Sequence, residues 1–192
     1  MEDKIKLFVM SNKMAERNLD YIERDFKIDL GRDLDGVKEQ DDEYYPQFQH
    51  LIRVAAKEMA VHYELFYCLE VSIRRMVNEK LKSELGDNWW EMADISEQIR
   101  KNVKENIQRE VDSAFTQRSD DELDYTTFGE LGEIVRKNWE RFGDLFNSQK
   151  GFNRVMNNLN LLRGPIAHCS PLAEDEVVRL RLTVRDWFRL ME

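Results

Sequence analysis

The sequence predicts an all-α protein, an up-and-down helical bundle of about five core helices plus an N-terminal helix. Three observations carry that expectation. Charged residues make up 35% and apolar residues 42% of the 192, with only eight Gly and three Pro, a balance suited to long amphipathic helices rather than turn-rich sheet. Apolar residues recur at spacings of three and four over long stretches. Helix start and stop signals bound those stretches, such as Thr127 three residues before Glu130, and Gly86 after a long apolar period.

In chain order, residues 4–26 place Ile5, Phe8, Asn12, Ala15, Leu19, Ile22 and Phe26 on a narrow apolar seam with one polar break. Such a helix packs on its own domain or serves as an arm that pairs with a partner helix. The following KIDLGRDLDGVKEQDDEYYP is polar and acidic and reads as a linker. Its DLDG is no calcium loop, because Gly31 falls where the first carboxylate ligand belongs. The expected organisation is therefore an N-terminal helix and acidic linker over 1–43, then one helical domain over 44–192.

From Gln47 to about Leu85 runs the longest expected helix, with Phe48, Ile52, Ala55, Met59, His62, Phe66, Leu69 and Ile73 on one face and Gly86 placed to stop it. Trp89 and Trp90 read as core plugs at a helix corner rather than as base-stacking groups. A helix from about Asp94 to Phe115 carries Ile95, Ile99, Val103, Ile107 and Val111, and an acidic connection follows it. The Thr127/Glu130 capping box opens a helix expected to continue through Trp139, Phe142 and Phe146. The next helix starts near Gly151 and should end or kink at Gly164–Pro165, because proline lacks an amide hydrogen and disfavours helical geometry in the residue before it. Ser170 and Pro171 read as the N-cap and first residue of the last helix, whose Val177, Leu180, Val184, Trp187 and Met191 face inward. Arg181, Arg185 and Arg189 recur on another side of it.

Composition narrows the function classes. The net charge of −9 works against broad nonspecific coating of a polyanion. Residues 150–192 carry seven Lys plus Arg against five Asp plus Glu, so an anion site belongs near the C-terminal end. Cys68 and Cys169 show neither disulfide framework nor thiolate-zinc spacing, and no metal site or cofactor is expected. His62 lies on an apolar face without a second ligand at matching spacing and is assigned no chemistry. The N-terminal residues lack the apolar block of a signal peptide, and no run approaches a bilayer span, so a soluble cytoplasmic protein without membrane partners is expected.

The stretch LRGPIAHCSPLAEDEVVRLRL, residues 162–182, sets Arg163 five positions ahead of His168 at the junction of two expected helices. An imidazole titrates near neutrality and takes or gives a proton, while a guanidinium stays charged and grips phosphate oxygens with a planar fork. The pair suits phosphoryl chemistry on RNA, in which a base removes the ribose 2′-hydroxyl proton and a cation stabilises the charge that builds on the phosphoryl oxygens. Taken alone, R-x4-H is common in helical proteins, and the bland alternative is an arginine tying down a helix end beside a histidine.

The ordered set HYELFYCLEVSIRRMV, GDNWW, FGELGEIVRKNW and LNLLRGPIAHCSPLAEDEVVRL resembles the HEPN superfamily, small all-helical domains whose RNA-cleaving members carry R-x4-6-H at a helix end. The resemblance covers most of residues 44–190. It implies a homodimer with both motifs lining one cleft, and metal-independent cleavage of RNA leaving a 2′,3′-cyclic phosphate. It further implies that Arg163 holds the scissile phosphate and that His168 acts as general base or acid. Many active relatives have a polar residue, often asparagine, directly after the arginine. Here it is Gly164, a departure that puts the rate of turnover in question while leaving the charge and the imidazole in place.

Relatives also often face the motif with an acidic or polar residue from an earlier helix. Glu70 fills that place in FYCLEVSIRR, either as a surface ion pair with Arg74 one turn on or as a carboxylate that orients Arg163 or His168. Arg181 and Arg185 are candidate substrate contacts. Two functional classes follow: an endoribonuclease, such as a toxin or antiviral defence effector held in check by a neutralising protein, or a HEPN-like module without turnover that dimerises or binds a nucleotide or protein. A plain scaffold bundle is the third.

Overall fold

A computed structural model describes residues 14–15, 18–19, 21–22, 25–26 and 47–192. The described positions between 14 and 26 are helical; the rest of the expected N-terminal helix and the acidic linker lie outside the described residues. The backbone divides into two compact units, Met1–Val54 and Ala55–Glu192, and the second carries the core. From His50 onward the described residues are all-α: α1 (His50–Leu85), the one-turn α2 (Trp89–Met92), α3 (Glu97–Asp112), a 3-10 turn (Glu122–Tyr125), α4 (Phe128–Lys137), the one-turn α5 (Trp139–Phe142), α6 (Gln149–Ala167) and α7 (Glu174–Arg189). The five longer helices are the core helices that the periodicity predicts.

α1 ends where expected. Gly86 takes φ +81° and its N–H donates to the Lys82 carbonyl at 2.9 Å, a left-handed stop that a side chain would strain. Its apolar face is buried later than the pattern implies: Phe66, Leu69, Ile73, Val77 and Leu81 are buried, whereas Phe48 and Ile52 are exposed. Length accounts for this. A 36-residue helix is about 54 Å long, nearly twice the 19-residue α6, so the shorter helices cover only part of it. Phe66 is the first buried core residue of α1, its ring centroid 5.3 Å from that of the fully buried Phe128 at the start of α4.

The capping box forms as the sequence predicts: Glu130 N–H donates to Thr127 Oγ1, and Thr127 N–H donates to the Glu130 carboxylate. The helix it opens breaks at Asn138 instead of continuing to Phe146. The buried Asn138 side chain donates to the Ile134 and Asp94 carbonyls at 2.9 and 3.0 Å and accepts from Asp94 N–H at 3.0 Å. It thus divides its donors between its own helix and the Asp94 backbone ahead of α3, and the chain turns to lay Trp139 and Phe146 against Phe152 and Trp187. Trp89 and Trp90 are buried, and Trp89 Nε1 donates to Asn78 Oδ1, as core plugs should.

Two expectations about the C-terminal helices need correction. α6 does not end at Gly164; it runs through Pro165 to Ala167. Pro165, near the end of α6, has no amide hydrogen to give the carbonyl four residues back, but the helix closes anyway with His168 N–H donating to the Gly164 carbonyl at 3.0 Å and Ser170 N–H to the Pro165 carbonyl at 2.9 Å, around Cys169 at φ +56°. This is a Schellman-type ending, and it takes up the Ser170 amide. Ser170 and Pro171 are therefore not the start of α7. The cap is Ala173, after an extended segment in which Leu172 packs against the core. On α7 Leu180, Thr183 and Trp187 are buried and Val184 packs against the core, Leu190 is buried just past the helix, and Met191 is exposed. Close approach ties the chain end to α6, since a Cβ at Gly151 would meet Leu190 Cδ2 at 2.7 Å.

Candidate functional site

Glu70 lies on α1 between the buried Leu69 and Ile73, and Arg163 follows the buried Leu162 on α6, so core packing brings together two side chains 93 positions apart. Arg163 Nε donates to Glu70 Oε2 at 3.1 Å. Glu70 Oε1 accepts from Arg74 Nη2 at 2.7 Å and Nε at 3.3 Å. Glu70 thus contacts both arginines at once: the pair with Arg74 one turn along forms, part-buried rather than on the surface, and the other carboxylate oxygen meets Arg163.

Arg74 fixes the carboxylate. Besides Glu70 it donates to the Leu123 carbonyl at 2.5 Å, to Thr126 Oγ1 at 3.0 Å and to the Thr126 carbonyl at 2.8 Å. Thr126 is buried, and the Arg74 side chain is 13% exposed. The Arg163 side chain is 38% exposed, and among the described residues its Nη1 and Nη2 make no hydrogen bond. A guanidinium held by Nε alone presents its outer fork, the edge that fits two phosphate oxygens.

Arg163 lines a groove of about 660 Å³ between α1, the 3-10 turn and the end of α6, with Tyr63, Tyr67, Glu70, Arg75 and Arg118 among its walls. His168 caps α6 one residue past Ala167, the last α6 residue on that wall. Its ring is exposed, makes no hydrogen bond among the described residues and does not line the groove. Glu70 does not contact it, so the alternative in which that carboxylate supports the imidazole is not what the fold forms. Arg181 and Arg185 are exposed on α7 without ion pairs among the described residues, and they line neither this groove nor a second one of about 540 Å³ between α6 and α7. The structure brings Glu70 and Arg163 together, leaves His168 at their rim and holds Arg181 and Arg185 apart.

The sequence reading missed the role of Thr126 and Leu123 in locking Arg74, which no local pattern signals. It also missed Tyr63 and Tyr67, although their positions four and three residues apart from each other and from Glu70 mark one helix stripe.

The family model described as Swt1-like HEPN matches residues 64–192. The chain belongs to that family, a class of all-α HEPN domains. No curated protein and no solved structure matches it. Among the described residues, no helix is long and apolar enough to cross a membrane.

Proposed function

We propose that this chain is a metal-independent endoribonuclease of HEPN type that works as a homodimer. The observation that supports it most is the state of Arg163: charged, held through Nε by a locked carboxylate, and offering an unpaired fork to the groove. An arginine serving only to tie down a helix end would spend that fork on protein acceptors, as Arg74 does.

In the proposed reaction His168 takes the proton of a ribose 2′-hydroxyl. The freed oxygen attacks the adjacent phosphorus, the bond to the 5′-oxygen breaks, and that oxygen leaves with a proton from an imidazolium. The products are a 2′,3′-cyclic phosphate and a 5′-hydroxyl. Arg163 stabilises the charge on the non-bridging oxygens as it builds. Glu70 is a positioning residue that acts through Arg163.

Because His168 stands at the groove rim within one chain, the site is completed across a two-fold pairing in which each copy supplies its motif. Arg181 and Arg185, which stand outside the groove, would meet phosphates only of a strand that runs on beyond it. A toxin or defence effector neutralised by a protein partner is the biological role proposed for such an activity.

Incubation of the purified protein with mixed RNA in EDTA, beside His168→Ala and Arg163→Ala, tests this reading. Cutting that survives the chelator and is lost in both variants supports it; equal cutting by His168→Ala overturns it. The exposed His168 and the bare Gly164 favour a second reading, a HEPN module without turnover, which predicts no cutting by any of the three proteins and an intact dimer.

A further inference from the structure

We propose that Tyr63 and Tyr67 form a stacking ledge for unpaired bases beside the Arg163 fork, so that the groove takes single-stranded RNA and rejects duplex. The inference rests on the ribonuclease reading above and names its substrate class.

α1 carries aromatic residues on two faces. Phe66 is buried against Phe128, whereas Tyr63 and Tyr67 are 59% and 57% exposed and turn into the groove. Their ring centroids lie 6.1 Å apart at an interplanar angle of 32°, and neither hydroxyl makes a hydrogen bond among the described residues. Two adjoining rings exposed by more than half in a concave wall offer the flat apolar area on which bases stack.

Tyr63, Tyr67, Glu70 and Arg74 follow at spacings of four, three and four along one stripe of α1. Tyr67 precedes Glu70 by about 4.5 Å of axial rise along α1. Tyr67 and Arg163 line the same groove, so a base stacked on the ring and a phosphate on the fork belong to one bound strand. Arg75, exposed and without an ion pair among the described residues, adds a cation to the same groove for a flanking phosphate.

Duplex RNA cannot use this arrangement. Its base faces are stacked inside the helix, and only edges, 2′-hydroxyls and phosphates are displayed. The A-form backbone also keeps the 2′-oxygen away from the line opposite the leaving 5′-oxygen, so an unstacked nucleotide meets the needs of the ledge and of the reaction together.

The test uses the full chain and a fluorescein-labelled 2′-O-methyl RNA oligonucleotide, which binds but cannot be cut, alone and annealed to its complement. Binding is read by fluorescence anisotropy. The wild-type protein is expected to prefer the single strand by at least about fivefold, the value of one stacked base. Tyr67→Ala should lose that margin and Tyr67→Trp should keep it, with duplex binding equal in all three. Equal affinity for both forms, or single-strand affinity indifferent to Tyr67→Ala, overturns the ledge. So does sedimentation showing that Tyr63→Ala and Tyr67→Ala turn a dimer into monomers as binding falls, because the rings would then belong to a subunit contact. The ribonuclease reading fails separately, by cutting in EDTA that is unaffected by His168→Ala. Such a result leaves the binding outcome to stand by itself.

Discussion

Arg74 and Arg163 share one carboxylate and end in opposite conditions. Arg74 spends its guanidinium on Glu70, Leu123 and Thr126 and is nearly enclosed, whereas Arg163 gives Glu70 a single hydrogen bond and keeps its outer nitrogens in the groove. The difference lies in what surrounds each. α1 runs past the backbone that turns into α4, where the Thr126 carbonyl and the Leu123 carbonyl, the latter already bonded by Thr126, accept from Arg74. Arg163 stands near the end of α6, where the walls are side chains and open space. A saturated cation holds the fold together, and one held by a single bond is available to a ligand.

The comparison breaks most visibly through the chemistry assigned to the end of α6. His168→Ala should lower the RNA-cleavage rate about 10³-fold, the usual value of a positioned proton-transfer group, with the circular dichroism spectrum unchanged. Next in size is stability. Arg74→Ala should cost about 3 kcal/mol in urea unfolding, because it strands the Thr126 carbonyl and part of the Glu70 carboxylate charge. Arg163→Ala should cost less than about 1 kcal/mol, since its pair is partly solvated. Equal losses in the two variants would erase the distinction between them.

Glu70→Gln keeps the shape but removes the charge that holds both arginines. It should slow single-turnover cleavage about tenfold or more with a smaller change in RNA affinity, the signature of lost positioning. Gly164→Asn sharpens the contrast in the other direction. A Cβ at Gly164 meets nothing within 4 Å, so the added amide should fit and raise cleavage by up to about tenfold through one more hydrogen bond near the phosphate.

The smallest effect concerns the loop ahead of the 3-10 turn. Burial raises the Glu110 carboxyl pKa, but hydrogen bonds from the Arg118 backbone and side chain and from the Tyr125 hydroxyl outweigh it and hold the group below the ordinary carboxylate range. Its stabilising contribution is therefore complete above the ordinary glutamate pKa and is lost as pH falls through the lowered value. Amide protection factors in residues 113–121, taken relative to intrinsic exchange at each pH, should fall on acidification over that window, and Glu110→Gln should remove that dependence.

Helical periodicity, the Thr127 capping box and the Gly86 stop were legible because each is local: a repeat of 3.6 residues, a side chain reaching three residues, a backbone angle only glycine adopts freely. The Asn138 break was not, because an asparagine inside a helical pattern gives no notice that Asp94 will present both a donor and an acceptor to it. The Ser170–Pro171 signal is sound locally and lost to the ending of α6, which claimed the Ser170 amide. Within the site, Arg163 and His168 stood out by type and spacing, and Glu70 by its place on a helix stripe. Whether Glu70 met Arg74, Arg163 or both depended on a contact across 93 positions.

The amino-acid order by itself determined an all-α chain, most helix boundaries, the family and the residue types at the end of α6, since short-range backbone geometry and one-dimensional spacing suffice for these. Only the tertiary structure decided that one arginine is saturated while another keeps its fork, that His168 stands at the rim and that two tyrosines line the same groove as that fork. Those outcomes depend on which carbonyls and rings distant helices bring within hydrogen-bond and contact range.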